Sequence, residues 1–315
     1  VETVAREQAF HPLIEYLDGL KWDGVERIDT WLAVYLGAED SSYTRAIGKC
    51  WLVSGIARAR KPGCKADHAM IFESPQGAGK STTFEILGGE FYSDDLADLG
   101  SKDAAMGCAG VWIVELAELD AMGRAEVSKI KAFISRHDDR FRPPYGHHII
   151  ESPRQCIFGG SVNRKDYLKD ETGGRRFWPV QCGEIRLTAL RRDRDQLWAE
   201  AAERYRKGET WWLDDPKLIG EASEEQEIRY AADPWEGLIE PWLRNAWLNG
   251  QEVTTARILG DLIRKETGQW GRADEIRVGA ILHRLGWEVA RRTKEKDGTR
   301  KRVYAPKPKP PEDPE

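Results

Sequence analysis

Apolar positions recur along the chain with two periods, and the change of period marks its parts. From about His11 to Arg60 the spacing is helical. Pro12-Leu13-Ile14-Glu15-Tyr16-Leu17 and Thr30-Trp31-Leu32-Ala33-Val34-Tyr35-Leu36 each predict a helix, and Lys21-Trp22-Asp23-Gly24 between them is turn chemistry. Ser41 and Ser42 are candidate caps for a third helix carrying Ile47, Trp51, Leu52, Ile56 and Ala57. Beyond Arg60 short apolar runs alternate with helical stretches. Ala69-Met70-Ile71-Phe72, Val111-Trp112-Ile113-Val114 and Cys156-Ile157-Phe158-Gly159-Gly160-Ser161-Val162 read as core strands, and Phe177-Trp178-Pro179-Val180 is a further apolar run. Helical spacing falls at Thr83 to Leu87, Ala125 to Arg136 and Leu190 to Lys207. That alternation predicts an α/β core with a parallel sheet.

Asp139 to Glu151 reads as two short extended arms around a turn near Tyr145-Gly146-His147. The acidic run Glu221 to Tyr230 reads as a solvated helix or linker. Asp233-Pro234 ends it and opens a new unit. There Trp235, Leu238, Ile239, Trp242, Leu243 and Trp247 share one helix face. A second helix starts at the hydroxyl cap Thr254 and a third runs from Asp274 to Gly286. Two strands around Asp297-Gly298 follow, the outline of a winged helix. The tail from Lys307 to Glu315 is rich in Pro and charge, which predicts disorder. The expected parts are an N-terminal helical subdomain 1–62, a core 63–220, a linker helix with winged helix 221–306, and the tail 307–315.

Composition narrows the class. At 315 residues the chain has room for two or three domains, and 40% hydrophobic with 32% charged residues reads as soluble and globular. No apolar run is long enough to cross a bilayer, so no membrane partner is expected. The N-terminus has no signal-peptide pattern and no Met, which predicts a fragment of a longer chain. The five cysteines form no CxxC pair, which argues for reduced thiols in the cytoplasm and against zinc. With a net charge of −5, nucleic-acid binding requires basic residues gathered locally.

The chemistry centres on Ser74-Pro75-Gln76-Gly77-Ala78-Gly79-Lys80-Ser81-Thr82, set between a strand and a helix. Backbone amides of Gln76 to Thr82 and a helix N-terminus then face one small volume, where polyphosphate binds. Lys80 is placed to reach the β- and γ-phosphates and Ser81 to ligate Mg²⁺. Ser74 stands where the usual pattern has Gly; a glycine turn without a ligand is the structural alternative. Glu115 ends an apolar run, with Glu118 close behind. One carboxylate suits the metal and the other the attacking water: Glu115 fits the metal side, Glu118 the water side, and the reverse assignment stays open. Asn163 ends the next core strand, where an amide meets a γ-phosphate or the lytic water; a plain turn Asn is the alternative. Arg175 and Arg176 follow Gly173-Gly174, suiting a guanidinium presented to phosphate, if from a neighbouring subunit an arginine finger; a surface ion pair is the alternative. Lys131, Arg142, Tyr145, His147 and His148 are candidates to grip and stack on nucleic acid, against a bland surface hairpin. The His pair lacks a third metal ligand. Arg300 and Arg302 lie on the basic wing, which favours phosphate contact, although winged helices also join proteins.

Taken together, Leu20-Lys21-Trp22-Asp23-Gly24, Pro62-Gly63-Cys64-Lys65-Ala66-Asp67-His68, the glycine loop, Glu115-Leu116-Ala117-Glu118-Leu119, Arg142-Pro143-Pro144-Tyr145-Gly146 and Gly174-Arg175-Arg176-Phe177-Trp178-Pro179 resemble the virulence-associated protein E family. These are relatives of phage and plasmid primase-helicases. The resemblance implies an AAA+-like P-loop core of the superfamily 3 type, assembled as a hexameric ring with ATP between subunits. Lys80 and Ser81 then belong to the first nucleotide motif, Glu115 and Glu118 to the second, Asn163 to the sensor, and Arg175 or Arg176 reaches the neighbour's ATP. The hairpin near Tyr145 to His148 corresponds to the pore hairpin on single-stranded DNA. Relatives often carry a primase domain upstream; none is visible here, so primer synthesis is not expected. The function expected is an ATP- and Mg²⁺-dependent DNA helicase or translocase of a prophage or mobile element. Two other readings stay open: an ATPase switch that does not translocate, such as a loader or defence sensor, and a DNA-binding regulator working through its winged helix.

Overall fold

β1, Ala69–Glu73, is buried at every residue, as a strand covered on both faces must be. In the computed structural model, which describes residues 11–95, 102–116, 119, 124–142, 148–163, 167–168, 174–230, 233–266, 269–294 and 300–307, it lies inside a five-stranded parallel sheet. The other strands are β2 (Tyr92–Ser93), β3 (Ile113–Leu116), β6 (Ile157–Val162) and β7 (Phe177–Gln181), in the order β2-β3-β6-β1-β7. β4 (Asp138–Phe141) and β5 (Ile150–Pro153) form a separate antiparallel pair. The chain divides into two compact units, Val1–Tyr230 and Ala231–Glu315.

Each face of the large sheet has its own core. Met70 and Phe72 join helices α1 (Pro12–Gly19), α2 (Trp31–Leu36), α3 (Ser42–Arg60), α4 (Lys80–Gly88) and α7 (Leu187–Arg206). Ala69 and Ile71 point the other way, with the two-residue alternation of a strand, and join α5 (Lys102–Gly107) and α6 (Arg124–Ile134). The first core is built on indoles. Trp51 stacks near Trp31 with centroids 6.1 Å apart and donates from Nε1 to the Phe158 carbonyl at 2.8 Å. Trp112 packs on Trp198 at 4.1 Å, and each indole N–H reaches a backbone carbonyl, Gly55 and Leu87. Trp51, Trp112 and Trp198 thereby gain apolar area without orphaning their donors, whereas the buried Trp31 Nε1 has no hydrogen-bond partner among the described residues. The N-terminal helices therefore share the core of the sheet. Their signals were local ones: Ser41 and Thr44 form a reciprocal capping box at the start of α3.

Gly159 explains how closely α4 sits on the sheet. A Cβ there would lie 2.3 Å from the Phe84 ring, and Phe84 in turn stacks on Phe72 at 4.4 Å. The acidic stretch expected to be a solvated helix or linker is helix α8, Pro216–Ile228, docked on β7. Asp215 caps it, Ala222 is buried, and Gln226 Nε2 donates to the Phe177 carbonyl at 2.9 Å. The boundary expected at 220/221 thus falls inside a helix of the first unit. Glu224 and Glu227 are exposed, while Glu221 accepts from Ser42 Oγ and Glu225 pairs with the buried Arg229, a difference that a charge count does not register.

The second unit contains α9 (Glu236–Leu248), a short turn α10 (Thr255–Arg257) continued as a π-helical turn Ile258–Leu262, α11 (Arg272–Arg284), and the antiparallel strands β8 (Trp287–Lys294) and β9 (Arg300–Pro306). Thr254 Oγ1 accepts from Arg257 N, the expected hydroxyl cap. Ile239, Leu243, Ile258, Val278, Ile281 and Tyr304 are in its core. Leu238 and Trp247, expected on the same face, are instead exposed. Among the described residues no helix is long and apolar enough to cross a membrane, and all five cysteines are free thiols.

Candidate functional site

The chain leaves β1 toward β2 and β3 on one side, returns to β6, and then crosses to β7 on the other. The carboxyl end of β1 therefore lies where the winding of the sheet reverses, the usual place for a crevice in an open α/β sheet. Residues 74–79 emerge there. Gly77 and Gly79 have φ of 81° and 97°, the left-handed region that a side chain makes costly. Gly79 is the N-cap of α4 and makes no side-chain cap, so the first amides of the helix face outward with the positive end of its dipole. Ser74 does not adopt a positive φ, so serine in place of glycine causes no backbone strain.

Lys80 is buried at 6% exposure. Its ammonium donates to the carbonyls of Ser74 at 2.6 Å and Pro75 at 3.0 Å, and to Asn163 Oδ1 at 3.1 Å. Gln76 and Gly77 are exposed beside it, Ala78 and Thr82 half-buried. Ser81 Oγ donates to Glu115 Oε1 at 2.8 Å, and Ser161 Oγ donates to the same oxygen at 2.7 Å. Tyr92 OH donates to Glu115 Oε2 at 2.5 Å. Burial raises the Tyr92 phenol well above its ordinary pKa, and the bond to Glu115 adds to that, so it stays a donor. Three hydroxyls thus surround one buried carboxylate beside the loop. Among the described residues no three His, Cys, Asp or Glu cluster as a metal cage. The oxygens of Ser81 and Glu115 nevertheless fit Mg²⁺, which takes one or two protein oxygens and fills its octahedron with water and phosphate.

Glu115, Ser81, Lys80 and Asn163 are therefore brought together, while Glu118 lies outside the described residues. Sequence reasoning missed Tyr92 and Ser161. Ser161 carried a signal, because it shares parity with Asn163 on one strand; the short β2 gave none. Arg175 and Arg176 precede β7, at the amino end of the sheet. Arg175 is exposed, and Arg176 Nε donates to Ser135 Oγ at 2.6 Å.

At the hairpin, Arg140 pairs with Glu151 at 3.0 Å on the surface. Arg154 and Asp139 form a buried bidentate pair at 2.6 and 2.8 Å that anchors its base. Arg142 and His148 are exposed; Tyr145 and His147 lie outside the described residues. Lys131, expected to meet nucleic acid, is buried at 4% exposure with its ammonium 6.0 Å from the Phe177 ring centre. It sits at the spacing of Val127, Ile130 and Ile134, the inner face of α6, and is withdrawn from that role. Arg302 is exposed on β9, and the side chain of Arg300 lies outside the described residues.

Two solved structures share the fold. The apo structure of the NrS-1 C-terminal region (305–718) superposes with a TM-score of 0.51 at 15% identity, covering 91% of this chain and 77% of that one. The A form apo structure of the same region gives 0.50 at 16% identity, covering 91% and 78%. No curated protein matches the sequence. The virulence-associated protein E-like domain family matches residues 17–230, which is most of the chain and nearly all of its first unit. The chain belongs to the virulence-associated protein E-like domain family.

Proposed function

We propose that this chain is an ATP-dependent motor of DNA replication, an AAA+-type P-loop ATPase of the superfamily 3 helicase kind. The observation that carries the proposal is the meeting of Lys80, Ser81, Glu115 and Asn163 at the outward-facing N-terminus of α4. Loop amides and the helix dipole favour a polyphosphate there. Lys80 exchanges the carbonyls of Ser74 and Pro75 for the β- and γ-phosphates, and Asn163 stays beside it on the γ-phosphate. Ser81 and Glu115 hold Mg²⁺, with Tyr92 and Ser161 fixing the carboxylate. When bound, the ion neutralises charge that develops on the phosphate oxygens. Glu118 orients the attacking water, and Arg175 or Arg176 serves the triphosphate of a neighbouring subunit in a ring.

In this reading the hairpin between β4 and β5 grips single-stranded DNA through Arg142, Tyr145, His147 and His148. The second unit acts as a winged helix, with Arg300 and Arg302 on duplex phosphates. Both contacts make binding weaken steeply with salt. The test is ATP hydrolysis with and without single-stranded DNA, alongside strand displacement. Stimulation with displacement supports the motor; nucleotide-dependent assembly without displacement replaces it with the switch.

A further inference from the structure

The amino end of the sheet holds a cavity of about 590 Å³, the size of a small-molecule site. Three indoles, Trp178, Trp211 and Trp212, and the His68 imidazole are among its walls. His68 lines it, stacked on Trp178 with ring centres 3.7 Å apart and planes 17° from parallel. Trp211 and Trp212 meet edge to face at 5.0 Å and 83°, and Trp212 is 48% exposed at the mouth. Such flat walls suit a planar ring.

The second observation is polar. His68 is 7% exposed, and its Nε2 has no hydrogen-bond partner among the described residues. A buried polar atom of that kind is costly until something pairs with it. Burial lowers the pKa of this imidazole to about 3, so at neutral pH one ring nitrogen donates and the other accepts. The third is charge. Lys65 and Arg175 are exposed on the lining and Arg176 is held by Ser135, against Asp67 as the lining's one carboxylate. The fourth is position. Gly63 N donates to the Arg154 carbonyl at 2.9 Å, and His137 Nδ1 lies 2.8 Å from the Gly63 carbonyl. The segment leading into this wall is thereby tied to the base of the β4–β5 hairpin.

We propose that this cavity binds a nucleotide unit, its base among the indoles and beside His68, its phosphate on Arg175 and Lys65. A free nucleotide and one unit of a single strand offer the same chemistry. The site is at the other end of the sheet from this chain's own glycine loop, and it uses Arg175, which leaves Arg176 as the arginine for a neighbouring subunit's triphosphate.

The experiment uses the full chain carrying Lys80→Ala, without Mg²⁺, with dTMP and fluorescent oligo(dT) as probes. His68→Phe keeps a ring on Trp178 but removes the nitrogens; Trp212→Ala removes one wall at an exposed position that tolerates truncation. Each added substitution weakens binding about tenfold. Should His68→Phe fail to fold by circular dichroism, Trp212→Ala decides. Loss measured with dTMP identifies a free nucleotide; loss with oligo(dT) alone identifies a strand. Equal affinity in both variants, or no binding of either probe to the Lys80→Ala chain, overturns the proposal.

Discussion

Lys80 and Arg176 stand at opposite ends of one parallel sheet. β1 pairs with β7 so that Ala69 faces Phe177, which puts Arg176 before the start of β7 and Lys80 beyond the end of β1. The four steps from Ala69 to Glu73 alone span roughly 13 Å, more than an arginine side chain covers. Within one chain the two residues do not share a phosphate. If each triphosphate is served by two chains, Lys80→Ala and the double variant Arg175→Ala/Arg176→Ala are each inactive, by roughly 10³-fold or more. Mixing the two restores part of the hydrolysis, because some junctions receive an intact loop and intact arginines. A mixture that stays inactive contradicts sharing.

Glu115 is the hub of the hydroxyl cluster, so Glu115→Gln keeps the shape while removing the charge. The expected result is a roughly 10–100-fold fall in hydrolysis that higher Mg²⁺ partly recovers, with nucleotide binding retained. Titration of activity against Mg²⁺ checks it; an unchanged profile removes Glu115 from the metal.

Glu73, the residue before the loop, forms a buried pair with Arg229 at 2.5 Å. Both side chains are 5% exposed or less. Arg229→Met leaves a carboxylate buried alone and lowers stability by about 3–5 kcal/mol. Adding Glu73→Gln recovers part of that loss. Urea unfolding of the three variants measures it, and a loss below about 1 kcal/mol for the single change counts against the pair.

His68 gives a pH signature. Its folded pKa is lowered by burial from 6.5 to about 3, so between those values the unfolded chain binds a proton that the folded chain refuses. The stabilisation is present above pH 6.5 and is lost as pH falls through it, by about 2 kcal/mol at pH 5. Thermal unfolding across that range is steeper in the wild type than in His68→Phe. Parallel curves contradict the assignment.

β1, β3, β6 and β7 were legible in the sequence because each was an apolar run too short for a helix, and the glycine loop because its residues are consecutive; the two-residue β2 had no such run. Partners that meet only in three dimensions were not legible. Glu73 and Arg229 are 156 positions apart, and the hydroxyls on Glu115 come from three elements. Lys131 misled because charge was weighed ahead of spacing: its positions relative to Val127, Ile130 and Ile134 already put it inside. Helix α8 misled in the same way, because two of its acids, Glu221 and Glu225, are engaged in contacts with Ser42 and Arg229.

The most direct measurement is steady-state ATP hydrolysis by the wild type and Lys80→Ala in the presence of single-stranded DNA and Mg²⁺. Turnover that depends on the strand in the wild type and falls to background in Lys80→Ala is the predicted result. Hydrolysis undiminished by that substitution means the loop after β1 holds no triphosphate, and contradicts the account.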